Sequence, residues 1–210
     1  MDNSMETYKL ILIGDSTVGK TNLLTQYVDG KFTPNNISTI GIEFKIKIVE
    51  LKDERKFKLQ IWDTSGQEKF MSLTKNYFRG CNVALFVFDV TNHTSFDNIP
   101  KWLNLYKDVN GENSKIVLIG NKIDLENREV SKEEAEDFAK ERDLQYFEIS
   151  AKKNKDKQIN DMFVKIVESL AYPDYVIADI QSSSKDLKGQ NDERNILLNN
   201  NHPEKNLCCN

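Results

Sequence analysis

Gly14-Asp15-Ser16-Thr17-Val18-Gly19-Lys20-Thr21 spells G-x-x-x-x-G-K-[ST] directly behind the apolar run Leu10-Ile11-Leu12-Ile13. A strand before and a helix after is the context that this phosphate-binding loop, the P-loop, requires. Two glycines let the backbone curl until successive N–H groups converge on an anion. A helix opening near Lys20 adds the positive end of its dipole. Lys20 offers a mobile cation to the outer phosphates, and the Thr21 hydroxyl is an oxygen ligand suited to Mg²⁺. Asp15, Ser16, Thr17, Val18, Gly19, Lys20 and Thr21 thus predict a nucleotide site, but a loop that grips phosphates cannot choose the base.

Outward from this loop, strand and helix patterns alternate. Residues 10–13, 83–90 and 116–119 are nearly continuous apolar runs, as parallel strands buried on both faces should be. Residues 44–51 and 57–62 alternate instead, around the polar Lys52-Asp53-Glu54-Arg55, which predicts an antiparallel hairpin. Ser131-Lys132-Glu133-Glu134 is a capping box that opens a helix through Phe138 and Ala139. Ile159, Met162, Phe163, Ile166, Val167 and Leu170 recur at helical spacing. The pattern predicts a doubly wound α/β sheet with ligands at the carboxyl ends of its strands.

With 210 residues, 39% of them hydrophobic and 30% charged, the chain can bury one sizeable core. Its 29 basic and 33 acidic residues are mixed, for a net charge of −4, so no basic stripe points to a nucleic-acid partner. Residues 1–6 carry neither a basic nor an apolar leader region, and Asp2 stands where N-myristoylation needs glycine. No apolar run approaches the roughly 20 residues that span a bilayer. Three cysteines without a leader predict a reducing, cytosolic setting. From 174 to 210 the chain is polar, with seven asparagines, six acidic and four basic residues. Such a segment buries too little apolar surface to offset ordering, which predicts a flexible tail ending in Cys208-Cys209-Asn210.

Base choice comes from Asn121-Lys122-Ile123-Asp124, at the end of the third apolar run and so at the same sheet end as the P-loop. A carboxylate is acceptor-only. It suits guanine, whose N1–H and 2-amino group present two donors in line, where adenine has no such pair. Leaving buried polar groups unmatched against the wrong base is what gives large discrimination.

On these motifs the chain resembles a Ras-superfamily small GTPase, and specifically a Rab, over roughly residues 7–171. The resemblance rests on 14–21, on Ile37-Ser38-Thr39-Ile40-Gly41-Ile42-Glu43-Phe44 and on Lys58-Leu59-Gln60-Ile61-Trp62-Asp63-Thr64-Ser65-Gly66-Gln67-Glu68. Tyr77-Phe78-Arg79-Gly80, 121–124, Ser150-Ala151-Lys152 and the terminal cysteine pair extend it. It implies a single P-loop NTPase domain over 7–172: a mostly parallel six-stranded sheet flanked by helices, with one antiparallel hairpin strand. Thr39 would join Thr21 on Mg²⁺ when a γ-phosphate is present, and Asp63 would hold the metal through water. Gly66 would touch the γ-phosphate and Gln67 would orient the attacking water. Phe32 would pack on the guanine beside Asn121, Lys122 and Asp124, with Ser150, Ala151 and Lys152 supporting the base. Phe44, Trp62 and Tyr77 match an aromatic trio shown to effectors.

The same resemblance implies a GTP/GDP cycle with slow hydrolysis, effector proteins, an exchange factor, a GAP, a prenylation escort and a GDP-dissociation inhibitor. Cys208 and Cys209 match a double geranylgeranylation site; two lipids anchor stably where one does not. That would put the protein on the cytosolic face of intracellular membranes in vesicle traffic, with a cytosolic pool. Two positions depart from the family: Ser65 replaces the usual alanine before Gly66-Gln67, and Thr17 places a β-branched residue inside the P-loop. A nucleotide-locked adaptor and an ATP-using P-loop kinase remain the alternatives at this point, the second opposed by 121–124.

Overall fold

A computed structural model describes residues 5–34, 42–65, 71–112, 114–153 and 157–172, with backbone alone for 71–74. β1 (Glu6–Ile13) runs into the P-loop and α1 (Lys20–Asp29) leaves it. β2 (Ile42–Glu50) and β3 (Lys56–Thr64) form the hairpin, followed by α2 (Met71–Phe78) and β4 (Val83–Asp89). Then come α3 (His93–Asp97), α4 (Ile99–Asn110), β5 (Ile116–Asn121), α5 (Lys132–Glu141), β6 (Gln145–Glu148) and α6 (Gln158–Ala171). The strands form one six-stranded sheet in the order β2-β3-β1-β4-β5-β6. All neighbours are parallel except β2 with β3, so the described residues carry the sheet that the resemblance implied.

The centre of that sheet follows from composition. Every residue of β4 and of β5 is buried, which a run of valine, isoleucine, leucine and phenylalanine achieves only with both faces covered. On one side Ile11, Ile13, Phe86 and Phe88 meet Trp102, Leu103 and Tyr106 of α4 and Ala135 and Ala139 of α5. Tyr27 of α1 stacks on Phe163 of α6 with ring centroids 3.8 Å apart. Ile159, Met162, Phe163, Ile166 and Val167 are all buried, the face that their spacing marks. Ser131 caps α5 as the capping pattern requires, its hydroxyl accepting from the Glu134 N–H at 3.0 Å.

The hairpin holds a surprise in orientation. β2 alternates as expected, yet Phe44, Ile46 and Ile48 are the exposed half, at 45, 45 and 55%. The lysines between them turn toward α1. Lys45 pairs with Asp29 at 2.7 Å, and the Lys47 ammonium lies 5.6 Å from the Tyr27 ring centroid. Their aliphatic stems cover apolar surface while the charges reach partners, so a lysine can occupy the inward position.

The chain divides into two units, Met1–Val167, which contains the sheet, and Glu168–Asn210, of which residues 168–172 are described. No helix among the described residues is long and apolar enough to cross a membrane. In the first unit, β1, β4, β5 and β6 all finish at the same sheet edge, which gathers the P-loop and the segments after Asp89, Asn121 and Glu148.

Candidate nucleotide site

The P-loop backbone is held open by residues that could be little else. Gly14 has φ 144°, and a Cβ there would lie 2.1 Å from the carbonyl oxygen of Val87. Gly19 has φ 99°, and its Cβ would lie 2.4 Å from Asn121 Nδ2. Between them Thr17 sits at φ 68°, in the left-handed region that disfavours a β-branched side chain. Its side chain is exposed, so nothing packed against it compensates. α1 opens at Gly19, which has no side chain to cap the helix, and its first turn carries no acidic residue. That leaves a helix N-terminus suited to an anion.

Lys20 is buried and donates to the carbonyl oxygens of Gly14 at 2.8 Å and Asp15 at 2.6 Å. Burial pushes its pKa down to about 8, against the pull of the Asp63 and Asp15 carboxylates. At the end of β3, Asp63 is fully buried and Asp63 Oδ2 accepts from the Thr21 hydroxyl at 2.5 Å. A hydroxyl and a carboxylate side by side at the mouth of a phosphate loop are oxygen donors of the kind that Mg²⁺ takes, so these residues fit that ion.

Asn121 is the hub of the other half. Its Nδ2 donates to the carbonyl of Val18 at 2.9 Å, and its Oδ1 accepts from the Ala151 N–H at 3.1 Å. One buried side chain thereby ties the P-loop to the Ser150-Ala151-Lys152 segment. Lys122, at φ 69°, pairs with Asp89 Oδ2 at 2.6 Å. Asp89 Oδ1 in turn accepts from the N–H and hydroxyl of Thr91, which fixes the end of β4. Asp124 accepts from the Ser150 hydroxyl at 2.6 Å, while Ser150 Oγ accepts from the Lys153 N–H at 2.7 Å. Lys152 is exposed, and Phe32, just past α1, is half-buried.

The aromatic trio is also brought together. Phe44 stacks on Trp62 at 5.0 Å between centroids and Trp62 meets Tyr77 at 5.4 Å. The Lys9 ammonium stands 5.4 Å from the Trp62 ring centroid. Thr39, Gly66, Gln67, Cys208 and Cys209 lie outside the described residues.

Several residues of the site were not singled out from sequence. Asp89 had a signal available, since it is polar at the carboxyl end of a buried strand where α/β sheets place ligands. Arg128 and Glu148 had none. Their bidentate pair, at 2.8 and 3.1 Å, joins the segment after Asp124 to the last residue before Ile149 and Ser150.

A glycine-shaped anion cradle ending in a buried lysine, at the carboxyl edge of a parallel sheet, defines a P-loop nucleotide-binding protein. The Ras family model matches residues 9–172 of the chain. Ras-related protein Rab-2B of Dictyostelium discoideum is 49% identical over 146 residues, 69% of this chain and 72% of that protein. Ras-related protein SEC4 of Saccharomyces cerevisiae is 38% identical over 203 residues, 96% of this chain and 90% of that one. Ras-related protein Rab-10 of Diplobatis ommata is 46% identical over 164 residues, covering 78% and 80%. The chain belongs to the Ras family, as a small GTPase of the Rab type that binds guanine nucleotide and hydrolyses GTP.

Proposed function

We propose that the chain is a Rab-like switch that regulates vesicle traffic, and that Asp124 reads guanine while residues 14–21 hold the phosphates. The observation that carries this reading is the Asn121 side chain, which binds the P-loop carbonyl of Val18 and the N–H of Ala151 at once. Base segment and phosphate segment are therefore one hydrogen-bonded unit, with the Asp124 carboxylate held in place by Ser150.

Thr21 and Asp63 would hold Mg²⁺, with Thr39 joining when a γ-phosphate is present. Bound there, the ion would neutralise charge on the phosphate oxygens. Lys20 would exchange its two carbonyl partners for phosphate oxygens, and Gln67 would orient the attacking water. Residues 14–44 contain no arginine, so intrinsic hydrolysis is expected at or below about 10⁻³ s⁻¹ and strongly raised by a GAP. Loss of the γ-phosphate releases the segments of Thr39 and Gly66, and the face of Phe44, Trp62 and Tyr77 then loses its effectors. An exchange factor, a prenylation escort and a GDP-dissociation inhibitor complete the cycle. Residues 173–210 serve as the membrane-directed tail. Lipids on Cys208 and Cys209 anchor it to the cytosolic face of membranes.

The base assignment is tested by Asp124→Asn. An amide offers a donor where the carboxylate has none, and xanthine carries a carbonyl where guanine carries the 2-amino group. The variant should lose GTP binding and gain binding of xanthosine triphosphate, read by displacement of a fluorescent nucleotide. Retained guanine preference would refute the role of Asp124. Gln67→Leu should bind GTP normally and turn it over far more slowly in single-turnover assays, whereas unchanged hydrolysis would remove Gln67 from the mechanism.

A further inference from the structure

Asp15 is an acidic residue in a loop built to gather anions, and its carboxylate is engaged elsewhere. Asp15 Oδ1 accepts from Trp102 Nε1 and Asp15 Oδ2 from Asn98 Nδ2, each at 2.7 Å. Both donors are neutral and both belong to one element, Asn98 at the start of α4 and Trp102 in its first turns. Asn98 occupies the N-cap position of α4, where an asparagine normally caps, yet its side chain makes no capping bond there and reaches Asp15 instead. Trp102 is nearly fully buried in the main core, so its indole cannot drift. The main-chain oxygen of Asp15 is at the same time a partner of Lys20. One P-loop residue therefore joins the core helix to the phosphate-binding lysine.

We propose that Asn98 and Trp102 are positioning residues for the nucleotide: they draw the Asp15 carboxylate out of the phosphate cradle and fix the P-loop in its binding shape. A free carboxylate at that place would repel the phosphates and compete for the N–H groups that should face them. Held by α4, it becomes an anchor. The inference rests on the guanine-nucleotide reading, and it adds that nucleotide retention depends on a hydrogen bond made by a tryptophan of the core.

The test uses the full chain loaded with a fluorescent GDP, with release followed after addition of excess unlabelled GDP and Mg²⁺. Trp102→Phe keeps most of the packing and removes the indole N–H; release should quicken by roughly tenfold or more, the scale of one hydrogen bond to a charged group. Asn98→Ala, which leaves the core untouched, should act in the same direction. In an Asp15→Ala background both substitutions should lose their effect, because no carboxylate remains to be held. Release unchanged in Trp102→Phe and Asn98→Ala overturns the proposal. So does an acceleration as large in the Asp15→Ala background as without it, since the tryptophan would then act through packing alone. Failure of the unsubstituted chain to retain fluorescent GDP would instead refute the guanine reading itself.

Discussion

Arg128 and Glu148 offer the sharpest quantitative test. The guanidinium makes two bonds to the carboxylate, at 2.8 and 3.1 Å, and a third to the carbonyl of Val130 at 3.1 Å. The Tyr146 hydroxyl adds a fourth contact to Glu148 Oε1 at 2.8 Å. Side-chain exposure is 31% for the arginine and 17% for the glutamate, so water competes only in part. A hydrogen bond to a charged group contributes about 1.5–3 kcal/mol when well buried, while an exposed ion pair contributes about 0–1 kcal/mol. Arg128→Ala leaves a largely buried carboxylate with Tyr146 as its remaining partner here, which sets the expected loss near 2 kcal/mol between those limits. For a domain of this size that lowers the melting temperature by about 4–8 °C, measurable by calorimetry on the GDP-loaded protein. Lys107→Ala is the control. Its pair with Glu112 is just as short at 2.6 Å, but Glu112 is 79% exposed, and the loss should stay under about 0.5 kcal/mol. Glu148→Gln closes a double-mutant cycle with an expected coupling of about 1–2 kcal/mol. Additive losses within about 0.5 kcal/mol would refute the coupling, and with it the idea that this pair clamps the two base-side segments together.

Three further outcomes are expected. Gly19→Ala places a methyl 2.4 Å from Asn121 Nδ2 and must displace that side chain from Val18 and Ala151. Losing two buried hydrogen bonds at about 1 kcal/mol each, with added backbone strain, should weaken GDP binding about a hundredfold in equilibrium titration. Thr17→Gly relieves the left-handed strain at a cost in unfolded-state entropy and should raise the unfolding free energy, read from denaturant titration, by about 0.5–1 kcal/mol, whereas Thr17→Val should not. His93 Nδ1 faces Asp97 Oδ2 at 3.0 Å and His93 Nε2 faces Glu134 Oε1 at 3.1 Å, and these carboxylate acceptors raise its pKa above the ordinary 6.5. Its contribution is complete below pH 6.5 and fades as pH rises through the raised value. A proton NMR titration of the imidazole should show that elevation and its decline in Asp97→Asn with Glu134→Gln.

Features written into contiguous residues were legible. The P-loop needs only 14–21 and its flanking strand, and the burial of β4 and β5 is stated by their unbroken apolar composition. The antiparallel hairpin followed from alternation, but its facing did not. A rule that puts isoleucine inside and lysine outside inverts β2, because Lys45 and Lys47 have Asp29, Tyr27 and the Val28 carbonyl to meet across the sheet edge. His93 belongs to no motif of the sequence, yet it is the first residue of α3, behind an Asn92 whose side chain accepts from the Ser95 N–H. Asp15 was read as a nucleotide contact, and its carboxylate meets residues more than eighty positions away. No local pattern carries such a pairing; it exists only once β1 and α4 share a core.

The sheet order also dictates when the P-loop can form. β1 lies between β3 and β4, and fifty residues separate Glu6 from Lys56. As the chain is synthesised, at roughly 5–20 residues per second, the first strand waits about 3–10 s for its earliest partner and longer for the second. Closing such long parallel connections is slow because their ordering cost comes before any contact rewards it. The anion cradle at the end of β1 is therefore a late product of folding, although its residues emerge early. A nucleotide that binds only the finished cradle draws nascent chains into the native state by mass action. The cell's guanine nucleotide pool then acts on the yield of this protein before it acts on its switching.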